Sequence, residues 1–445
     1  MKTRSLLALA LTVVVCAIHV TAQIAPRVVQ SSVNQINLYV LPTGVRDVVT
    51  IAGSLPAGDA AARRGNVAIA TLVGEMLDQG TTRQDKFTIA DQLESVGAEL
   101  SFSVGNDTLN ISGRCLKKDL PVVLSLLFEQ LREPAFNAED LERVKTRLIG
   151  GLQRSLESTS AIANEAFNNA IYPVDHPNYQ TPVKAFIAAV GQATLDELKT
   201  FHASHYGPDG LQLVLVGDVA ADQVETTIRT ATTGWTGGSA IIKTDVAATE
   251  LTDRGTVVNV NVADKTSVNI AWGQASGLHY TDEDSLALDV GTAILGQGFT
   301  GRLLAKIRDQ EGLTYGIGAN ATNDTYNDGE WYIKGTFAPE LLEQGIASTR
   351  RELEAWYNDG VTAKELAERK TNLIGTFKLQ LATTGGLAQS ILRAVQRGDT
   401  LESLDTYPDR IEALTLQEVN RAIKRHLNPA DMVLVRAGTL PGASN

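Results

Sequence analysis

Segments of this chain recur in the same order about 220 residues apart, and that duplication constrains its fold more than any other feature. Thr194-Leu195-Asp196-Glu197 with His205 and Pro208 returns as Thr415-Leu416-Gln417-Glu418 with His426 and Pro429. Met76-Leu77-Asp78-Gln79-Gly80 returns as Ile294-Leu295-Gly296-Gln297-Gly298, and Lys145 to Gly150 as Lys370 to Gly375. Ordered matches at offsets between 218 and 225 mean two copies of one unit. Each copy, at roughly 200 residues, is long enough to bury its own core. The join falls at 236–248, where Gly and Thr accumulate, between an N-terminal domain at 23–235 and a C-terminal domain at 249–445.

Within a copy the order is strand, helix, strands, helices, strand. Runs rich in β-formers stand at Ile36–Leu41, Val48–Gly53, Leu100–Val104, Thr108–Gly113 and Leu211–Val216. Apolar residues at helical spacing mark Val67–Asp78, Ile89–Val96, Leu120–Arg132 and Ala138–Ser155. The pattern predicts an α+β sandwich in each copy, a mostly antiparallel sheet with helices packed on one face.

Lys2 and Arg4 precede an apolar run from Leu6 to Val20, and Val20-Thr21-Ala22 suits cleavage, so 1–22 reads as a secretory signal peptide. No later segment is apolar enough to span a bilayer, and the expected location is periplasmic or extracellular. The remaining chain carries 37 Lys+Arg against 51 Asp+Glu, a balance unsuited to nucleic acid. Cys115 is the one cysteine outside the leader and reads as a small buried residue. His202 and His205 stand three apart near a helix end, but no third ligand lies close in sequence, and the other histidines are isolated.

Several stretches carry a resemblance: "AGSLPAGDAA" from Ala52, "NVAIATLVGEMLDQGTT" from Asn66, "YPVDHPNY" from Tyr172, "HYGPDGLQLVLVGDV" from His205 and "RLLAKIRDQEGLTYGIGA" from Arg302. Together they resemble the pitrilysin/insulinase family of zinc metallopeptidases over essentially the whole chain after the leader. That resemblance implies two tandem pitrilysin-like α/β sandwich domains. The family writes His-x-x-Glu-His just before Met-Leu-x-x-Gly-Thr, which places its two histidines on Thr71 and Glu75 and its catalytic glutamate on Gly74. Two imidazoles one turn apart grip zinc and the carboxylate activates its water; Thr, Gly and Glu do not supply that set. The family's third ligand falls on Gly151 and a neighbouring glutamate on Val144. By resemblance this chain binds no cofactor itself.

The second copy keeps more. Gly296, Gly298 and Gly301 spell Gly-x-Gly-x-x-Gly, but a helix-like run precedes them where a dinucleotide site needs a strand. The resemblance offers instead a glycine-rich loop that handles the substrate chain in the family's non-catalytic subunits. Arg308 and Tyr315 match an Arg/Tyr pair that reaches substrate bound at the zinc, and both are donors suited to a peptide carbonyl or its oxyanion. The resemblance therefore implies the non-catalytic subunit of an exported heterodimer, whose zinc-bearing partner cleaves peptides. The alternatives are a stand-alone peptide-binding or scaffold protein and an independently active hydrolase.

Overall fold

Two sheets with one strand order carry the chain. The computed structural model describes residues 23–244 and 254–440; the leader at 1–22, part of the expected linker and the last five residues lie outside them. The first sheet holds β1 (Val29–Val33), β2 (Ile36–Pro42), β3 (Val48–Leu55), β4 (Glu99–Val104), β5 (Leu109–Leu116) and β6 (Gln212–Gly217), ordered β1-β2-β6-β3-β5-β4. The second holds β7 (Val257–Asn261), β8 (Val268–Ala275), β9 (Thr314–Thr322), β10 (Glu330–Phe337) and β11 (Val433–Gly438), ordered β7-β11-β8-β10-β9. Apart from β1, the sheets match strand for strand. The β2–β6 pair of the first is parallel, as is the β7–β11 pair of the second, and the other shared pairs are antiparallel.

The helices form where capping and periodicity specify them. Leu195–His205 and Leu416–His426 each begin with a capping box, Thr194 with Glu197 and Thr415 with Glu418, which satisfies donors left open at a helix start. Leu120–Arg132 buries Val123, Leu124, Leu127, Phe128 and Leu131 against the first sheet, a stripe spaced three and four apart.

The central strands are buried on both faces. Along β6, Leu213 and Leu215 enter the core beneath the first copy's own helices, whereas Val214 and Val216 point the other way. What covers Val214 and Val216 is the helix Thr384–Gln396, which comes from the second copy and packs with Ala388, Ile391 and Leu392. The exchange is reciprocal. Helix Thr159–Ile171 of the first copy lays Ala163, Phe167 and Ile171 on Ala271, Val433 and Val435 of the second sheet. The expectation of helices on one sheet face therefore describes each copy taken alone; the opposite face is closed by the other copy.

A polar latch accompanies the exchange. Tyr172 donates to Glu330 at 2.5 Å, and Asn178 donates to the carbonyls of Asn323 and Asp328 at 3.0 and 2.9 Å. The backbone N–H of Asn178 donates to Nδ1 of His176, so Nε2 of that imidazole carries the proton directed at Asp328, 2.8 Å away. His176 is thus structural. The segment at 236–244, within the expected linker, touches both copies: Ser239 donates to the Pro56 carbonyl and Asn327 to the Ile242 carbonyl.

Because Phe167 belongs to one copy and is buried on the sheet of the other, Phe167→Ala should cost about 3–5 kcal/mol. Scanning calorimetry of the variant should show one common transition moved to lower temperature. Two resolved transitions, with only one displaced, would mean the copies fold independently.

Candidate functional site

The helix Ile69–Met76 lies over the first sheet and packs against Ala138–Ser155, so Thr71, Gly74 and Glu75 sit on one element and Gly151 on its neighbour. Thr71 turns its hydroxyl to Asp59 at 2.8 Å. Burial pushes Asp59 up to about 6, against the pull of the Thr71 hydrogen bonds. Gly74 has no room for a side chain, because a Cβ there would stand 2.4 Å from Cγ2 of Val104 on β4. Glu75 is paired with Arg147 at 2.5 Å, and Arg147 stands one helical turn before Gly151. The two helices are bridged by a guanidinium–carboxylate pair whose members are 61% and 41% exposed. Such a pair contributes about 0–1 kcal/mol. Asp78, behind it, is pushed up to about 6 by burial and by repulsion from Glu75.

These residues do not fit zinc. A structural or catalytic site needs at least three protein ligands; here one carboxylate is engaged by arginine, one hydroxyl donates to another carboxylate, and two positions have no side chain. Among the described residues no three His, Cys, Asp or Glu side chains converge as metal ligands. The histidine pair is separated by function. His202 is bonded to the Leu131 carbonyl and stacks on Tyr206, while His205 is bonded to the Phe201 carbonyl and stacks on Phe201. Cys115 is buried, and burial pushes its thiol up to about 11.

At β9, the edge of the second sheet, the candidate residues do come together. The Arg308 guanidinium stands 5.6 Å from the centre of the Tyr315 ring and 5.8 Å from that of Phe299, within cation–π range of both. Its ion-pair contact is the adjacent Asp309, at 3.9 Å. Tyr315 is 89% exposed and Phe299 78% exposed. Phe299 is a residue that sequence reasoning passed over. An aromatic side chain in the middle of Gly298-Phe299-Thr300-Gly301, outside any apolar periodicity, is the signal that could have found it.

Backbone geometry accounts for the glycines of this loop. Gly296 ends the helix Ser285–Gly296 against β9, where a Cβ would lie 2.2 Å from the Ala319 nitrogen. Gly298 has a φ of +69°, a conformation that favours glycine. Arg369 holds the loop from below through the Gln297 carbonyl at 3.0 Å and the Thr300 hydroxyl at 3.3 Å. With a helix before it, the loop lacks the strand–turn–helix setting of a dinucleotide site.

Known proteins share this fold. Residues 43–178 match the family described as Insulinase (Peptidase family M16), and residues 192–373 match the Peptidase M16 inactive domain. The chain is 24% identical over 383 residues to the non-peptidase homolog YmxG of Helicobacter pylori, covering 84% of this chain and 85% of that one. It is 23% identical over 358 residues to an uncharacterized zinc protease of Streptomyces coelicolor, covering 79% and 76%. A peptidase M16 inactive domain from Pseudomonas fluorescens superposes with a TM-score of 0.84 at 22% identity, over 94% of this chain and 99% of that one. The periplasmic protease PqqL from Escherichia coli superposes at 0.75 and 15% identity, over 94% of this chain and 46% of its own length. The chain belongs to peptidase family M16, as a homologue of its inactive-peptidase type.

Proposed function

We propose that this chain is the non-catalytic subunit of an exported heterodimeric zinc peptidase. It closes half of a peptide-holding chamber and offers Arg308 and Tyr315 to substrate bound at the zinc of a partner subunit. Export rests on the leader read at 1–22. The observation that carries the subunit role is the state of the Arg308 cluster. Its phenol points to solvent, and its guanidinium is steadied by two exposed rings, with no carboxylate closer than 3.9 Å among the described residues. A purely structural Arg/Tyr pair would be expected to bury the ring and close an ion pair. Here both sets of donors are free to meet a group from outside the chain. The loop at Gly296, Gly298 and Gly301 adds Phe299 to the same surface and is assigned to peptide contact with it.

On this reading the purified chain neither takes up stoichiometric zinc nor cleaves peptides alone, and it regains a role in turnover when mixed with a relative bearing His-x-x-Glu-His. Metal analysis and a fluorogenic peptide assay test this directly. About one tight zinc per chain with chelator-sensitive cleavage would overturn it. Recovery of only monomer or self-dimer from the native source would favour a stand-alone scaffold.

In the reconstituted complex, Arg308→Ala or Tyr315→Phe should lower turnover while leaving assembly intact. Tyr315→Phe keeps the ring beside Arg308 and removes only the hydroxyl, so a loss there reports donation rather than packing. Losing an oxyanion-type donor costs on the order of 10²–10³ in rate, which bounds the expected effect. Arg308→Lys should not fully restore activity, since an ammonium lacks the planar fork of donors. A fall in kcat marks action on the transition state and a rise in KM marks peptide holding. Full activity in both variants would make the pair structural.

A further inference from the structure

The second copy has a cleft of its own, of about 280 Å³, between the helices Ser285–Gly296, Ala363–Gln380 and Thr384–Gln396. The first two are the counterparts of the helices that carry Thr71 and Gly151. At the 218-residue offset, the position of Thr71 becomes Asp289. Asp289 lines the cleft, and no hydrogen bond or ion pair to its carboxylate is found among the described residues. Facing it are Asp324, Arg397 and Tyr407.

The other charges of the cleft are not equivalent. Arg397 is already committed: it stacks on Tyr280 at 3.5 Å and lies 3.4 Å from Asp324. Its Nε nonetheless has no partner and is buried. Arg393, on the rim, has no hydrogen bond or ion pair among the described residues and is disfavoured by burial and by the charge of Arg397. Setting aside the Arg397–Asp324 pair leaves two carboxylates without an ion pair among the described residues, Asp289 and Asp399, the latter accepting the Thr400 backbone N–H, and one guanidinium, Arg393, at the mouth, with the apolar Phe377 between the walls. Asp289 is half-buried and Arg393 exposed at the mouth, so the cleft offers charges of both signs that are not paired with each other, an arrangement complementary to a ligand carrying both. The volume falls just below the range of ligand pockets, roughly 300 to 1,000 Å³, which suits only a small ligand.

We propose that this cleft binds a small zwitterion, a free amino acid or dipeptide, with Asp289 receiving its ammonium and Arg393 its carboxylate. The site shares the Gln297 loop with the Arg308 cluster but none of the cluster's side chains, and it does not depend on a partner subunit, so its failure would leave the subunit reading untouched. Burial, with repulsion from Asp324, pushes Asp289 up to about 7 against the pull of Arg397. An arriving ammonium favours the ionised carboxylate and lowers that value. Affinity should therefore peak between about pH 7 and 8, falling by up to about tenfold per unit below as Asp289 takes up a proton and falling again above as the α-ammonium, with a pKa of about 8, loses one.

The test is calorimetric titration of the full chain after leader removal with the dipeptide Ala-Leu, its N-acetyl form and its C-terminal amide. Ala-Leu should bind, and blocking either terminus should weaken it at least about tenfold. Asp289→Asn should do the same and flatten the acid limb of the pH profile; Arg393→Gln should weaken Ala-Leu but leave the amide unchanged. Asp289→Asn should also raise the melting temperature at pH 8 more than at pH 5. A raised carboxylate pKa destabilises the fold progressively as pH rises from about 4 to 7, and the neutral amide of Asn escapes that penalty. If Asn disturbs folding, the rim variant Arg393→Gln carries the test. No binding of Ala-Leu at about 10 mM, or binding indifferent to N-acetylation, would overturn the proposal.

Discussion

The structure depends on the mutual covering of two sheets. Neither copy closes its own sandwich: Val214 and Val216 would face water without Ala388, Ile391 and Leu392, and Val433 and Val435 would do so without Phe167 and Ile171. Fully burying an aliphatic side chain is worth about 1.5–3 kcal/mol. With several such side chains on each side, the exchange stabilises the fold more than the polar latch at Tyr172, His176 and Asn178 does. The latch contributes direction instead. Its groups are buried and find partners across the two copies, so any other arrangement leaves donors and acceptors unmet.

This division of labour leaves the fold independent of what stands at Thr71, Gly74, Glu75 and Gly151. Nothing in the reciprocal packing passes through Thr71, Gly74, Glu75 or Gly151. The helices they stand on are held by Leu72, Val73, Met76, Leu141 and Val144, all in the first core. The space around them is filled by inexpensive contacts: Val104 against Gly74, Thr71 against Asp59, and an exposed Glu75–Arg147 pair. None of these needs a cation, and the Glu75 carboxylate is paired with Arg147.

Much of the fold is legible in the sequence, and the parts that are not share a cause. Runs of β-formers locate β2 to β6, capping boxes at Thr194 and Thr415 locate equivalent helices, and Leu120–Arg132 and Ala138–Ser155 keep in the structure the boundaries their periodicity predicts. The unbroken apolar run Leu213-Val214-Leu215-Val216 is the pattern of a strand buried on both faces. What it does not announce is the second partner. An amphipathic helix such as Thr384–Gln396 declares which of its faces is apolar, but not which sheet that face will meet. The same limit applies at the site. Arg308 and Tyr315 are visible through the spacing of a motif, whereas Phe299, far before Tyr315 in the chain and on a different element, joins them only through the turn that Gly298 permits.

Duplication gives the chain two versions of one helix pair, and the two have taken opposite courses. In the first copy the polar groups facing the gap are matched to one another and the gap is closed by Val104. In the second, the counterpart of Thr71 is a carboxylate facing open space, beside an arginine whose Nε is unmatched. Burial disfavours the Asp289 carboxylate where the first copy has matched contacts, so Asp289 is a cost in stability, and costs of that kind are characteristic of positions that bind something.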